Sequence, residues 1–90
     1  MLKTKLFVVS GHVQGVGFRY ATQNKAVELG LTGWVRNKAN GEVEGIVQGT
    51  EDRVIQFESW LWKGPKFASV SAVECQCIKR ESIGDFRITH

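Results

Sequence analysis

The sequence predicts an α+β two-layer sandwich, with two helices on one face of a mostly antiparallel sheet. Three observations carry that expectation. Strand-like and helix-like runs follow one another in the order β-α-β-β-α-β, with a short extra strand at the C-terminal end. Asn40-Gly41 marks a reversal between the two middle strands, because both residue types tolerate positive φ. Gly30 and Gly64 close the two helix-like runs, as glycine commonly does. That order of elements is the ferredoxin-like arrangement. Ninety residues suffice for one such domain, expected to span 1–90, and not for two.

Taken in order, residues 3–12 form the first strand. Leu6, Phe7, Val8 and Val9 are a continuous apolar run, as expected of a strand inside a sheet. A glycine-rich stretch follows. Residues 18–29 predict a helix with Phe18, Ala21, Ala26 and Leu29 along one side, a stripe that Thr22 and Lys25 interrupt. Residues 31–38 form the second strand, with Trp34 and Val35 as its apolar content. In the third, 42–48, Val43 and Val47 alternate with Glu42 and Glu44, and Ile46 falls off that pattern. Thr50-Glu51-Asp52 opens the second helix with an N-cap residue and two acids in the first turn. Val54, Phe57 and Leu61 make its core stripe, and Lys63-Gly64-Pro65 ends it. The fourth strand covers 69–79, with Val70, Val73, Cys75, Cys77 and Ile78. The fifth covers 85–89, with Phe86 and Ile88. Trp34 is expected to pack, and one of Trp60 and Trp62 to stand partly exposed.

Composition narrows the class. Hydrophobic residues make up 42% and charged residues 23%, ordinary for a globular protein. The net charge of +3 suits an acidic small molecule without demanding one. Cys75 and Cys77 stand two apart in a strand, where their Cα atoms lie roughly 7 Å apart, at or beyond the reach of a disulfide. They are expected as core thiols of a cytoplasmic protein. The apolar stretch near the start, Leu6 to Val9, is too short for a signal peptide or a membrane span. His12 and His90 are far apart in sequence and predict no metal site.

The stretch from Gly11 to Arg19, Gly-His-Val-Gln-Gly-Val-Gly-Phe-Arg, is the centre of the functional reading. Three glycines between a strand and a helix allow a backbone that turns its N–H groups outward. A helix start adds a partial positive charge, and the two together form an anion site. Arg19 supplies a full charge with a forked donor set. The first helix has no Ser, Thr, Asp or Asn at its start, so its leading N–H groups are left for water or an oxyanion. The stretch is not a P-loop, since no G-x-x-x-x-G-K-[ST] occurs. Nor is it a Rossmann fingerprint, since the third glycine is missing and a hairpin follows.

A second polar cluster lies at Gly33-Trp34-Val35-Arg36-Asn37. A right-handed β-α-β crossover makes the first two strands parallel, so both end at one edge of the sheet. Asn37 is then free to face whatever the glycine loop holds, or to start the turn before the hairpin. Arg36 alternates to the opposite face. Lys38 is placed to attract anions at the rim.

These stretches, GHVQGVGFR and GWVRN, together with Gly41-Glu-Val-Glu44 and Gly64-Pro65, closely resemble the acylphosphatase family over essentially the whole chain. The resemblance implies hydrolysis of acyl phosphates to a carboxylate and orthophosphate, with no metal and no other cofactor. It implies Arg19 as the phosphate-binding catalytic residue and Asn37 as the one orienting the attacking water. The backbone of Gln14, Gly15, Val16, Gly17, Phe18 and Arg19 would cradle the phosphate. The expected partners are the small-molecule substrate and product, with no nucleic acid or membrane, and the protein is expected to be monomeric. The rival reading is a non-catalytic module that binds phosphate or carbamoyl phosphate. RNA binding through the sheet would want exposed aromatics on the first and third strands, where only Phe7 is available.

Overall fold

The computed structural model describes residues 2–89. Its elements are β1 (Leu2–His12), α1 (Phe18–Glu28), β2 (Thr32–Asn37), β3 (Val43–Thr50), α2 (Glu51–Lys63), β4 (Ser69–Cys77) and β5 (Phe86–Ile88). The five strands make one sheet in the order β4-β1-β3-β2-β5. Every pairing is antiparallel except β2 with β5. Two helices pack on this sheet, so the expected ferredoxin-like sandwich is the observed one. β1 and β2 run the same way with β3 between them, and both finish at the edge that carries the glycine-rich loop.

The core lies between the sheet and the helices. Phe7 and Val9 of β1, Val35 of β2, Val43 and Val47 of β3 and Phe86 of β5 meet Phe18 and Ala26 of α1 and Val54, Phe57 and Leu61 of α2. Phe57 sits edge-on to Phe7 at 5.3 Å between ring centroids and lies 6.2 Å from Phe86. Burying each such ring contributes about 1.5–3 kcal/mol. Phe7, fully buried here, is no RNA platform.

Local chemistry explains where the structure departs from simple periodicity. In α1 the buried residues are Phe18, Thr22 and Ala26, with Ala21 and Leu29 half-buried. Thr22 enters the core because its hydroxyl donates to the Phe18 carbonyl at 2.7 Å, which satisfies the polar atom inside the helix. At α2, Thr50 precedes the helix, but its hydroxyl makes no cap bond. The Thr50 hydroxyl and nearby backbone N–H groups instead favour the charged Asp52 carboxylate and lower its pKa.

Cys75 and Cys77 are exposed, not core thiols. They face the helical layer, since they pair with Phe7 and Lys5, but β4 is the outermost strand on that side. Alternation put them on the expected face; strand order put that face at the margin. Trp60 is half-buried and Trp62 exposed, and Trp34 is half-buried beneath the Arg36 guanidinium, 5.3 Å from its ring centroid.

On the other face of the sheet Gln48 acts as a clasp. Its side chain accepts from the Thr4 hydroxyl at 2.6 Å and from the Glu81 N–H at 2.9 Å, and donates to the Glu81 carbonyl at 3.0 Å. The connection from β4 to β5 is thereby fastened to β3. Among the described residues no helix is long and apolar enough to cross a membrane.

Candidate active site

The site begins with the way β1 ends. A bulge between Ser10 and Gly11 shifts its register against β4, which bends the strand before the loop. The backbone of β4 crosses so near Gly11 that a Cβ there would stand 2.2 Å from the Ser69 carbonyl oxygen. Only glycine fits.

In the loop itself, Gly15 and Gly17 both have φ of 75°, and among the described residues no non-glycine has positive φ. From Gln14 to Phe18 the sign of φ therefore alternates residue by residue. Alternation of this kind is the backbone pattern from which nests of N–H groups are built. Gly17 is also the N-cap of α1, with no side-chain cap bond and no acid in the first turn. The first intrahelical bond is donated by Ala21 N–H to the Gly17 carbonyl at 3.0 Å, so the N–H groups of Phe18, Arg19 and Tyr20 have no intrahelical acceptor. The helix start is held in place by Phe18, which is buried and lies 5.9 Å from the Trp60 ring.

Gly15, Gly17, Phe18, Arg19 and Asn37 border one cavity of about 210 Å³. The sequence-predicted Arg19 and Asn37 thus meet across the same space. Among the described residues no Asp or Glu side chain lines it. Two residues of the predicted cradle do not reach the cavity with their side chains. Val16 packs against the core, and Gln14 turns its amide toward the β2–β3 hairpin, donating to the carbonyls of Lys38 at 2.8 Å and Glu42 at 2.9 Å.

The hairpin that carries Asn37 is tightly tied. Lys38 N–H donates to the Glu42 carbonyl at 2.7 Å, and Glu42 N–H to Asn40 Oδ1 at 3.1 Å. The Glu42 carboxylate accepts from Ser10 Oγ at 2.7 Å and Asn40 Nδ2 at 2.8 Å, with Lys38 Nζ at 3.3 Å. These bonds, Ser10's foremost, hold its carboxyl below the usual carboxylate range. Asn40, not Asn37, supplies the turn's side-chain bonds. Among the described residues no hydrogen bond engages the Asn37 amide, which is left to face the cavity.

The neighbouring residues resolve as follows. Arg36 lies on the opposite face and pairs with Glu44 at 2.6 Å. Lys38 is drawn to Glu42 rather than to the rim of the cavity. His12 is exposed at the end of β1 and does not line the cavity; His90 lies outside the described residues. Among those residues no three His, Cys, Asp or Glu side chains gather as a ligand set. Sequence reasoning missed Val13, Tyr20 and Ile88, which also line the cavity. Tyr20 follows Arg19 directly, an available hint; Ile88 gave none, because its place depends on β5 lying beside β2.

Fold and site together define an α+β sandwich with a cavity at one edge of its sheet, between the glycine loop and the end of β2. The family profile described as Acylphosphatase matches residues 5–88. The chain therefore belongs to the acylphosphatase family. An acylphosphatase of Vibrio parahaemolyticus is 41% identical over 87 residues, 97% of each chain. The solved acylphosphatase of Coxiella burnetii matches with a TM-score of 0.95 at 43% identity, covering 98% of this chain and 93% of that one. That of Bacillus subtilis matches with a TM-score of 0.95 at 34% identity over 100% of both chains.

Proposed function

We propose that the protein hydrolyses acyl phosphates by in-line attack of water on phosphorus, with Arg19 and the loop N–H groups holding the phosphoryl group and Asn37 placing the water. One observation carries this reading: the Asn37 amide, unused by its own turn, borders the same cavity as Arg19 and the nest. Capturing a phosphate does not require it. Placing a nucleophile does.

The chemistry asks for no more than these groups. Phosphoryl transfer through a loose transition state depends mainly on positioning and charge stabilisation. The nest and the Arg19 guanidinium spread over the equatorial oxygens as charge builds there. The water oxygen bonds to phosphorus, the bond from phosphorus to the acyl oxygen breaks, and the carboxylate departs with its electron pair. With a conjugate acid of pKa near 4, that leaving group needs no general acid. An amide is no base, so the water's proton passes to a phosphate oxygen. An alkoxide leaving group would lack help here, and the site selects activated phosphates.

Hydrolysis of benzoyl phosphate in EDTA tests the reading. Wild type is expected to be active. Asn37→Ala should lower kcat about a hundredfold with little change in inhibition by inorganic phosphate. Arg19→Ala should lower kcat on the order of a thousandfold and weaken phosphate inhibition as well. A folded, inactive wild type that still binds phosphate would leave the rival, a non-catalytic phosphate or carbamoyl phosphate module. The free thiols Cys75 and Cys77 support a cytoplasmic setting, and a monomer is the expected state by sedimentation.

A further inference from the structure

The cavity's lining falls into two chemistries. Loop N–H groups, Arg19 and Asn37 serve the phosphoryl group. Of its four larger apolar residues, Val13 and Phe18 are buried in the core at 1% exposure and offer a substrate little surface. Tyr20 and Ile88 remain. Tyr20 is 66% exposed, and among the described residues its ring makes no hydrogen bond or ring contact, so neither fold packing nor a polar partner accounts for an aromatic at this position. Ile88 is half-buried and pairs with Val35, two residues before Asn37.

The two are brought together by α1 lying across β5. Gln23 Nε2 donates to the Phe86 carbonyl at 3.0 Å. Tyr20 stands one turn before Gln23 on the same helix face, and Ile88 stands two residues beyond Phe86, so both meet at the cavity mouth. The cavity, of about 210 Å³, is small and opens to the surface beside Tyr20. A phosphoryl group and its nucleophilic water fill much of that space. An acyl group larger than acetyl must extend out across the mouth.

We propose that Tyr20 and Ile88 form the subsite for the acyl group, so that the protein favours acyl phosphates with aromatic or extended apolar acyl groups over acetyl phosphate. This rests on the acylphosphatase reading and adds the substrate class to it. An aromatic acyl group stacks on the Tyr20 ring and covers Ile88, whereas an acetyl group is too short to reach either. Among the described residues no charged side chain other than Arg19 borders the cavity to reward an acyl group that carries charge.

The test compares kcat/KM for benzoyl phosphate and acetyl phosphate in wild type, Tyr20→Ala, Tyr20→Phe and Ile88→Ala, with inhibition by inorganic phosphate measured alongside. Wild type should prefer benzoyl phosphate. Tyr20→Ala should reduce that preference roughly three- to tenfold and leave acetyl phosphate hydrolysis and phosphate inhibition within about twofold, and Ile88→Ala should act in the same direction. Tyr20→Phe, which keeps the ring, should keep the preference. A preference unmoved by Tyr20→Ala, or an equal fall on both substrates, in an active wild type overturns the subsite alone. A wild type inactive on both substrates overturns the acylphosphatase reading and the subsite with it.

Discussion

Gln14 donates its side-chain amide to the carbonyl of Lys38 at 2.8 Å, joining the glycine loop to the residue next to Asn37. The same amide donates to the Glu42 carbonyl at 2.9 Å, so one side chain bridges the loop to both ends of the hairpin. Arg19 and Asn37 stand 18 positions apart in the chain, and these bonds tie the glycine loop to the hairpin that follows Asn37.

Gln14→Ala should therefore act on geometry more than on charge. Losing two hydrogen bonds is expected to destabilise the fold by about 1–2 kcal/mol in urea unfolding. Turnover of benzoyl phosphate should fall about tenfold or more, because a misplaced water loses its line of attack. Inhibition by inorganic phosphate should change much less. Equal losses in both would mean that the bridge supports only the loop.

The nest makes its own demand on the backbone. A Cβ at Gly15 or Gly17 would meet nothing within 4 Å, so Gly15→Ala and Gly17→Ala raise no clash, only the strain of an L-residue at φ of 75°. Each should lose about 1–2 kcal/mol in urea unfolding. Each should also bind inorganic phosphate more weakly, because the loop sheds that strain only by turning an N–H out of the nest.

Cys75 is exposed on the outermost strand yet should be slow to react. Burial of the sulfur first, and then the neighbouring Glu58 carboxylate, push its thiol up to about 11. The thiolate is the reactive form, so alkylation by iodoacetamide at about pH 8 should run about two orders of magnitude slower than for an ordinary cysteine. Peptide mass spectrometry against time measures this at Cys75. Glu58→Gln should speed the reaction by removing the adjacent negative charge.

Acid stability follows from two carboxylates. Glu42 is held below its ordinary pKa of 4.5, chiefly by the Ser10 hydroxyl, and Asp52 below 3.8, chiefly by the Thr50 hydroxyl. Both pKa values are lower folded than unfolded. Their contribution is thus complete above the unfolded values and is lost as pH falls through the folded ones, where the unfolded chain binds more protons. Urea midpoints should decline from about pH 5 to about pH 3, and Ser10→Ala should flatten that slope. An unchanged slope would show that Glu42 gains nothing from Ser10 in solution.

The sequence by itself determined the element order and the place of the glycine loop between β1 and α1, because these depend on short-range chemistry. Alternation, cap residues and positive-φ glycines are local, and the Val54, Phe57 and Leu61 stripe packed as its spacing required. The motifs GHVQGVGFR and GWVRN were legible as a family resemblance, which the match over residues 5–88 bears out. Only the tertiary structure decided what depends on which strands become neighbours. It placed β4 at the margin and so exposed Cys75 and Cys77. It turned the Gln14 amide to the hairpin. It also laid β5 beside β2, bringing Ile88 to the mouth of a cavity whose other wall lies some seventy residues earlier in the chain. Sequence spacing carries no record of such meetings, because they are fixed by sheet order and by the packing of a helix across it.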